Sequence, residues 1–235
     1  GATFAYFWSL KSRSPAGATS RHGAPSRKAP SKSLPTRRRM NTRHAWLLLC
    51  AALATTSLLA WPFPRDALNW QPALLAPEPW RTLTAAFVHW TPLHLAANLA
   101  GCAVLALLGS RAHLGKRETA AGLIALPLTQ LGLLLQPELQ RYAGLSGELH
   151  ALATIAALTL LTRTGRDRWV GLGIALGLAV KIALEHPLGP ALQMTDGFDF
   201  AVAPFAHLSG AVSGLLAWAL TIAVIKRKNR SPHGT

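Results

Sequence analysis

Six stretches of this chain are more apolar, and over greater lengths, than helices that must present one face to water. They run from Ala45 to about Trp61, Leu93 to Gly109, Thr119 to Leu135 with Pro127 inside, Leu145 to Thr162, Trp169 to Leu184, and Phe205 to Ile225. A bilayer core about 30 Å thick needs roughly 20 mostly apolar residues as helix, with about 17 as the lower limit. Helices of a soluble core would carry a polar stripe at helical period. A run such as residues 45–61 would instead have to hide every face. The expected fold is therefore all-α, a polytopic membrane protein built as a bundle of six transmembrane helices. Only 14% of the residues are charged, against about 25% in a soluble domain, which excludes an ordinary soluble globule. Cys50 and Cys102 both lie in apolar runs, so neither a disulfide framework nor a Cys-based zinc site is expected.

The net charge of +15 is unevenly spread. Residues 1–44 hold ten Lys/Arg and no Asp/Glu, whereas residues 45–235 hold fourteen and nine. The first segment is also rich in Ser, Pro, Gly and Ala, so it cannot bury a core and is expected to be a disordered basic tail. A start at Met40, just before the first apolar run, is the favoured explanation for this tail. A basic cytoplasmic extension and an organellar targeting peptide are the alternatives. Residues 45–228 are expected to form the membrane domain and 229–235 a short cytoplasmic tail. No nucleic-acid partner is expected for the membrane domain.

Charge also sets the orientation. Arg43 precedes the first run; Arg111, Lys116 and Arg117 follow the second; Arg163, Arg166 and Arg168 follow the fourth; Lys226, Arg227, Lys228 and Arg230 follow the sixth. With alternating helices these all fall on one side. The other side keeps Arg65, Arg81 and Arg141, with Lys181 near the end of the fifth run. By the positive-inside rule the first side is cytoplasmic. Both termini are then inside, and loops 62–92, 136–144 and 185–204 face outward.

Polar groups inside membrane helices are costly and point to function. Here they gather at the outer ends of the second, fourth and sixth runs. His94 and Asn98 are four apart and share a helical face. Alone, the pair reads as interhelical hydrogen bonding. The fourth run is entered through Gly144-Leu145-Ser146-Gly147-Glu148-Leu149-His150. Alone, Ser146 reads as a helix cap. The sixth opens Ala206-His207, and His207, Gly210 and Gly214 share a face; Gly210 and Gly214 form a close-packing pair. Taken together, the clusters supply a nucleophile, a base and polar donors. A serine hydroxyl needs an adjacent base, and histidine titrates in the right range. A tetrahedral intermediate needs donors aimed at its oxyanion; His94, Asn98 and the Ser146 N–H are candidates. A serine–base pair does not require a third carboxylate.

The ordered motifs resemble those of the rhomboid intramembrane serine proteases. Trp80-Arg81, Phe87, His89, His94 and Asn98 are similar to the family's W-R motif and H-x-x-x-N helix. Gly144-Leu145-Ser146-Gly147 resembles its G-x-S-G. Ala206-His207 with Gly210 and Gly214 resembles its A-H-x-x-G-x-x-x-G. The resemblance covers about residues 45–228 and implies a rhomboid-like six-helix bundle. It implies Ser146 as nucleophile, His207 as general base, and His94 and Asn98 as oxyanion stabilisers. Many rhomboids carry tyrosine four residues after the serine, where this chain has His150. That departure resembles the rhombosortase branch, which is implied to process bacterial proteins with a C-terminal Gly-Gly motif, an apolar helix and a basic end.

His150 sits one turn from Ser146, but a base arriving from another helix approaches the hydroxyl more freely. His207 is therefore the expected base, with His150 and Gly147 as packing or substrate contacts. His89 and His186 are expected to hydrogen-bond within the fold, and Glu148 likewise. Neither a metal nor a cofactor is expected. The expected partners are the lipid bilayer and transmembrane protein substrates, and the expected location is a bacterial inner membrane with the site facing the periplasm. Two rival readings are a pseudoprotease that binds membrane helices without cutting, and a small channel or transporter. The first conflicts with the presence of both catalytic candidates. The second conflicts with the apolar inner halves of the second, fourth and sixth runs.

Overall fold

The computed structural model describes residues 37–230, with backbone alone for 37–43 and 228–230. The basic tail expected at 1–44 lies mostly outside the described residues, as does 231–235. Eight α-helices appear among the described residues: α1 Arg37–Ala60, α2 Arg65–Leu68, α3 Arg81–Thr84, α4 Pro92–Arg111, α5 Lys116–Gly132, α6 Ser146–Leu161, α7 Arg166–Leu184 and α8 Pro204–Arg230. Between α7 and α8, β1 Gln193–Met194 pairs antiparallel with β2 Ala201–Val202. The chain is thus mostly helical. Among the described residues, three segments are long and apolar enough to cross a membrane: Pro92–Arg111, Lys116–Leu135 and Pro204–Arg227. His44–Ala60 and Ser146–Leu161 are shorter apolar helices.

Local chemistry sets the helix ends. α1 stops before Trp61-Pro62-Phe63-Pro64, where two prolines remove donors and clash with a continuing turn. α4 starts at Pro92, and the Thr91 hydroxyl accepts from the His94 N–H at 3.1 Å. Both are favoured helix-start devices. The Glu118 carboxylate accepts from the Gly115 N–H at 2.9 Å and closes the first turn of α5. Pro127 is accommodated within α5, and a 3₁₀ turn at Leu133–Leu135 continues that helix.

The core forms around α6. Leu152, Ile155, Ala156 and Leu160 of α6 are buried with Trp46 and Leu53 of α1, Cys102 and Leu105 of α4, and Ala121 and Ala125 of α5. The Trp46 indole donates to the Leu105 carbonyl at 2.8 Å, fixing α1 against α4. α8 approaches α6 still more closely. A Cβ on Gly210 would collide with the Gly147 carbonyl, and one on Gly214 would meet the Ala151 backbone. Only Gly171 and Ile182 of α7 are buried. Val104, Leu107, Leu176, Val180, Leu216 and Leu220 are exposed, forming apolar helix faces of the kind that lipid covers.

Candidate active site

The close α6–α8 contact carries a consequence for two polar side chains. Ser146 is the first residue of α6, and His207 lies in the first turn of α8. Because Gly210 lets α8 rest on the Gly147 backbone, the imidazole reaches across, with His207 Nε2 3.0 Å from Ser146 Oγ. The capping reading of Ser146 is corrected here: Leu145 occupies the cap position, and no side chain caps α6. The serine hydroxyl is left to face the histidine.

Backbone geometry places the serine. Gly144 has φ of +134°, a conformation that side chains disfavour. A Cβ there would also strike the His94 ring. The Gly144 N–H donates to the Ala85 carbonyl at 3.0 Å, and the buried Tyr142 hydroxyl donates to the Gly144 carbonyl at 3.0 Å. These bonds anchor the turn that delivers Ser146. The first four N–H groups of a helix lack intrahelical acceptors, and Leu149 is the first in α6 to bond back, to the Leu145 carbonyl at 3.0 Å. The N–H groups of Ser146 and Gly147 therefore lie ahead of the helical ladder.

His94 and Asn98 of α4 are buried and line the same cavity as Ser146. His94 Nδ1 accepts from the Trp90 N–H at 3.4 Å, which assigns the ring proton to Nε2. Asn98 Nδ2 has no hydrogen-bond partner among the described residues. His94 is braced by Phe200, whose ring stacks on it at 4.1 Å, and by the edge of His89 at 4.9 Å. The cavity holds about 250 Å³. Ala97, Leu149, Phe198, Phe200 and Val202 supply its apolar wall, and Lys181, Glu185 and His207 a polar one.

His150 also reaches the site. Its Nδ1–H donates to the Ser146 carbonyl at 2.6 Å, and its ring stacks on His207 at 4.1 Å with planes 12° apart. The hydroxyl of Ser146 is thus paired with His207, while His150 bonds the backbone of its own helix.

The structure adds a group that the sequence did not single out. Glu185, capping the end of α7, has Oε2 2.7 Å from His207 Nδ1. Its other oxygen accepts from the Lys181 ammonium, one helical turn earlier. Burial would raise the Glu185 carboxyl, but the bonds to His207 and Lys181 outweigh it and hold it down to about 2. The visible signal was an i,i+4 Lys–Glu pair closing an otherwise apolar run. His150, Glu185 and His207 also place potential ligand atoms within 4.8 Å of one another. A metal needs imidazole lone pairs that converge in their ring planes, whereas these two rings are parallel and His150 Nδ1 is already bonded.

Other candidates lie apart from the dyad. Buried Arg81 donates to the carbonyls of Asp66 at 2.9 Å and Asn69 at 2.8 Å and pairs with Glu78, tying the loop after α1 together. Trp80 is half-exposed. His89 Nδ1–H donates to the Phe87 carbonyl at 3.1 Å, and exposed His186 donates to the Ala183 carbonyl at 3.2 Å. The expected hydrogen bond of Glu148 is corrected: the carboxyl is buried against α5 and α1, and neither oxygen has a partner among the described residues. Its position in the helix turns it away from the cavity.

A protein-family model described as a rhomboid domain matches residues 76–224. That span contains Ser146, His207, His94 and Asn98. No curated protein matches the chain.

Proposed function

Because the chain belongs to the rhomboid family, we propose that it is a serine-type intramembrane endopeptidase using Ser146 and His207. The observation that carries this reading is the 3.0 Å contact between His207 Nε2 and Ser146 Oγ beside a cavity lined by His94 and Asn98. The family and the apolar helices make the protein an integral membrane protein. The finer topology is part of the proposal: six spans formed by α1 and α4–α8, both termini cytoplasmic, in a bacterial inner membrane. α6 has 16 residues, a length of about 24 Å, which is shorter than a bilayer core of about 30 Å. An inner end at the cytoplasmic boundary then leaves Ser146 below the outer lipid surface.

In this mechanism a substrate helix unwinds at the cavity. Ser146 Oγ attacks the scissile carbonyl as His207 Nε2 takes its proton. The N–H groups at the start of α6, His94 Nε2–H and Asn98 Nδ2–H stabilise the oxyanion. His207 then protonates the leaving amine, and water resolves the acyl-enzyme. A smaller cavity of about 20 Å³, lined by His94, Tyr142 and Ser146, adjoins the serine and has room for one water. His150 in place of tyrosine supports the rhombosortase branch and a substrate with a Gly-Gly-type C-terminal anchor.

Co-expression with a Gly-Gly-tailed membrane protein tests the proposal. Wild type is expected to release the tail, and Ser146→Ala to leave it attached at equal expression. Undiminished cleavage by Ser146→Ala overturns the serine mechanism. Cleavage of generic single-span substrates alone overturns the narrower specificity.

A further inference from the structure

His207 Nδ1 faces two groups of α7 that demand opposite things of it. Glu185 Oε2, at 2.7 Å, accepts a proton; Lys181 Nζ, at 3.5 Å, can only donate one. A neutral imidazole carries one ring proton, so the partner at Nδ1 decides what Nε2 presents to Ser146. With Glu185 as partner, Nδ1 is protonated and the Nε2 lone pair faces the serine hydroxyl. With Lys181 as partner, Nδ1 is the acceptor and Nε2 carries the proton, so it cannot take another. Lys181 is drawn off by the free oxygen of the same carboxylate. From the α6 side the His150 ring lies parallel to His207, with its own Nδ1 committed to the Ser146 carbonyl.

We infer that Glu185 is a positioning residue that completes a Ser146–His207–Glu185 array by holding His207 in its Nδ1–H tautomer, with Lys181 anchoring the carboxylate. This rests on the protease reading above. The proton balance is closed. As the Oγ–carbon bond forms, the Oγ proton moves to Nε2 and the carbonyl π pair goes to the oxyanion. As the carbon–nitrogen bond breaks, the Nε2 proton passes to the leaving amine. The Nδ1 proton stays on His207 throughout, and Glu185 remains a carboxylate. α7 otherwise buries only Gly171 and Ile182, so the array ties the base on α8 to a peripheral helix.

The test is inactivation of the purified protein in detergent by a fluorophosphonate probe, separating the maximal rate kinact from the binding constant KI. Glu185→Ala removes the acceptor, and in Glu185→Gln the Lys181 ammonium claims the one amide oxygen and turns the amide N–H toward Nδ1, so both are expected to lower kinact about 100-fold, with KI within about twofold of wild type. Glu185→Asp is expected to recover at least about tenfold over Glu185→Ala, since it restores the acceptor. Adding Lys181→Ala to Glu185→Ala is expected to raise kinact, because the donor that favours the wrong tautomer is gone. Unfolding temperature is read in parallel, and the near-isosteric Glu185→Gln carries the test if Glu185→Ala does not fold. The inference is overturned if Glu185→Gln keeps kinact within about threefold of wild type, if the loss lies wholly in KI, or if Glu185→Asp is no better than Glu185→Ala. Labelling that is lost in Ser146→Ala but indifferent to Glu185 overturns this inference alone. Labelling that persists in Ser146→Ala, or is absent from wild type, overturns the protease reading and this inference with it.

Discussion

Asn98 is a buried amide whose Nδ2 finds no partner among the described residues. Its place on the wall of the cavity beside Ser146 leaves that donor available to an oxyanion that forms only during reaction. Asn98→Ala is expected to lower cleavage about 100-fold while leaving the unfolding temperature unchanged or higher; parallel rate and thermal measurements check both halves. A drop in both would mark Asn98 as structural. His89, outside the spans, behaves differently. Burial pushes it down from 6.5 to about 4, so the folded ring stays neutral where the unfolded ring binds a proton. Stability is therefore full above about pH 6.5 and falls as pH drops toward about 4, by about 3 kcal/mol from this residue. His89→Gln is expected to flatten that dependence, read as the change in unfolding temperature between about pH 7 and pH 5.

The contact between α6 and α8 turns two helices into a site. A methyl at Gly210 would overlap the Gly147 carbonyl, forcing α8 outward and drawing His207 from Ser146. Gly210→Ala is expected to destabilise by about 1–3 kcal/mol and to abolish cleavage. Gly173 and Gly177 of α7 have nothing within 4 Å of an added Cβ, so alanine there is expected to leave both properties intact. Thermal unfolding and substrate cleavage of the three variants decide the point. The same contact explains what could be read from sequence. Apolar runs announce helices because hydropathy is local, and the Gly210–Gly214 spacing announces a close approach because a missing side chain has no other helical use at that cost. Glu185 was not legible. Its partner lies 22 residues away, across a loop whose paired strands have two residues each, too short to show a period. Phe200, stacked on His94 from that loop, was hidden for the same reason. Ser146 reads as a cap only when its motif is taken alone, and its hydroxyl meets His207 as the combined motifs lead one to expect, whereas tertiary packing places the Glu148 carboxyl in an apolar interior.

At the scale of the whole molecule, one asymmetry organises everything else. Basic residues collect at one set of helix ends, in the α4–α5 and α6–α7 connections, while Ser146, His207, His94 and Asn98 lie toward the opposite ends of α6, α8 and α4. Translocating a basic segment across an energised membrane is disfavoured, so the orientation we propose keeps the cationic ends in the cytoplasm and opens the cavity outward. In that orientation water would reach the serine from the periplasmic side, through the kind of wet cavity that irregular polar backbone at membrane depth can border. Cysteine labelling measures this orientation. Cys50 and Cys102 are both buried and leave a low background. Asp196 in the α7–α8 loop and Arg168 near the start of α7 are both exposed. With a membrane-impermeant maleimide on intact spheroplasts, Asp196→Cys is expected to label at once and Arg168→Cys only after lysis. The reverse pattern would put the cavity on the cytoplasmic side, where a substrate anchored with an outward domain could not present its cleavage site to Ser146.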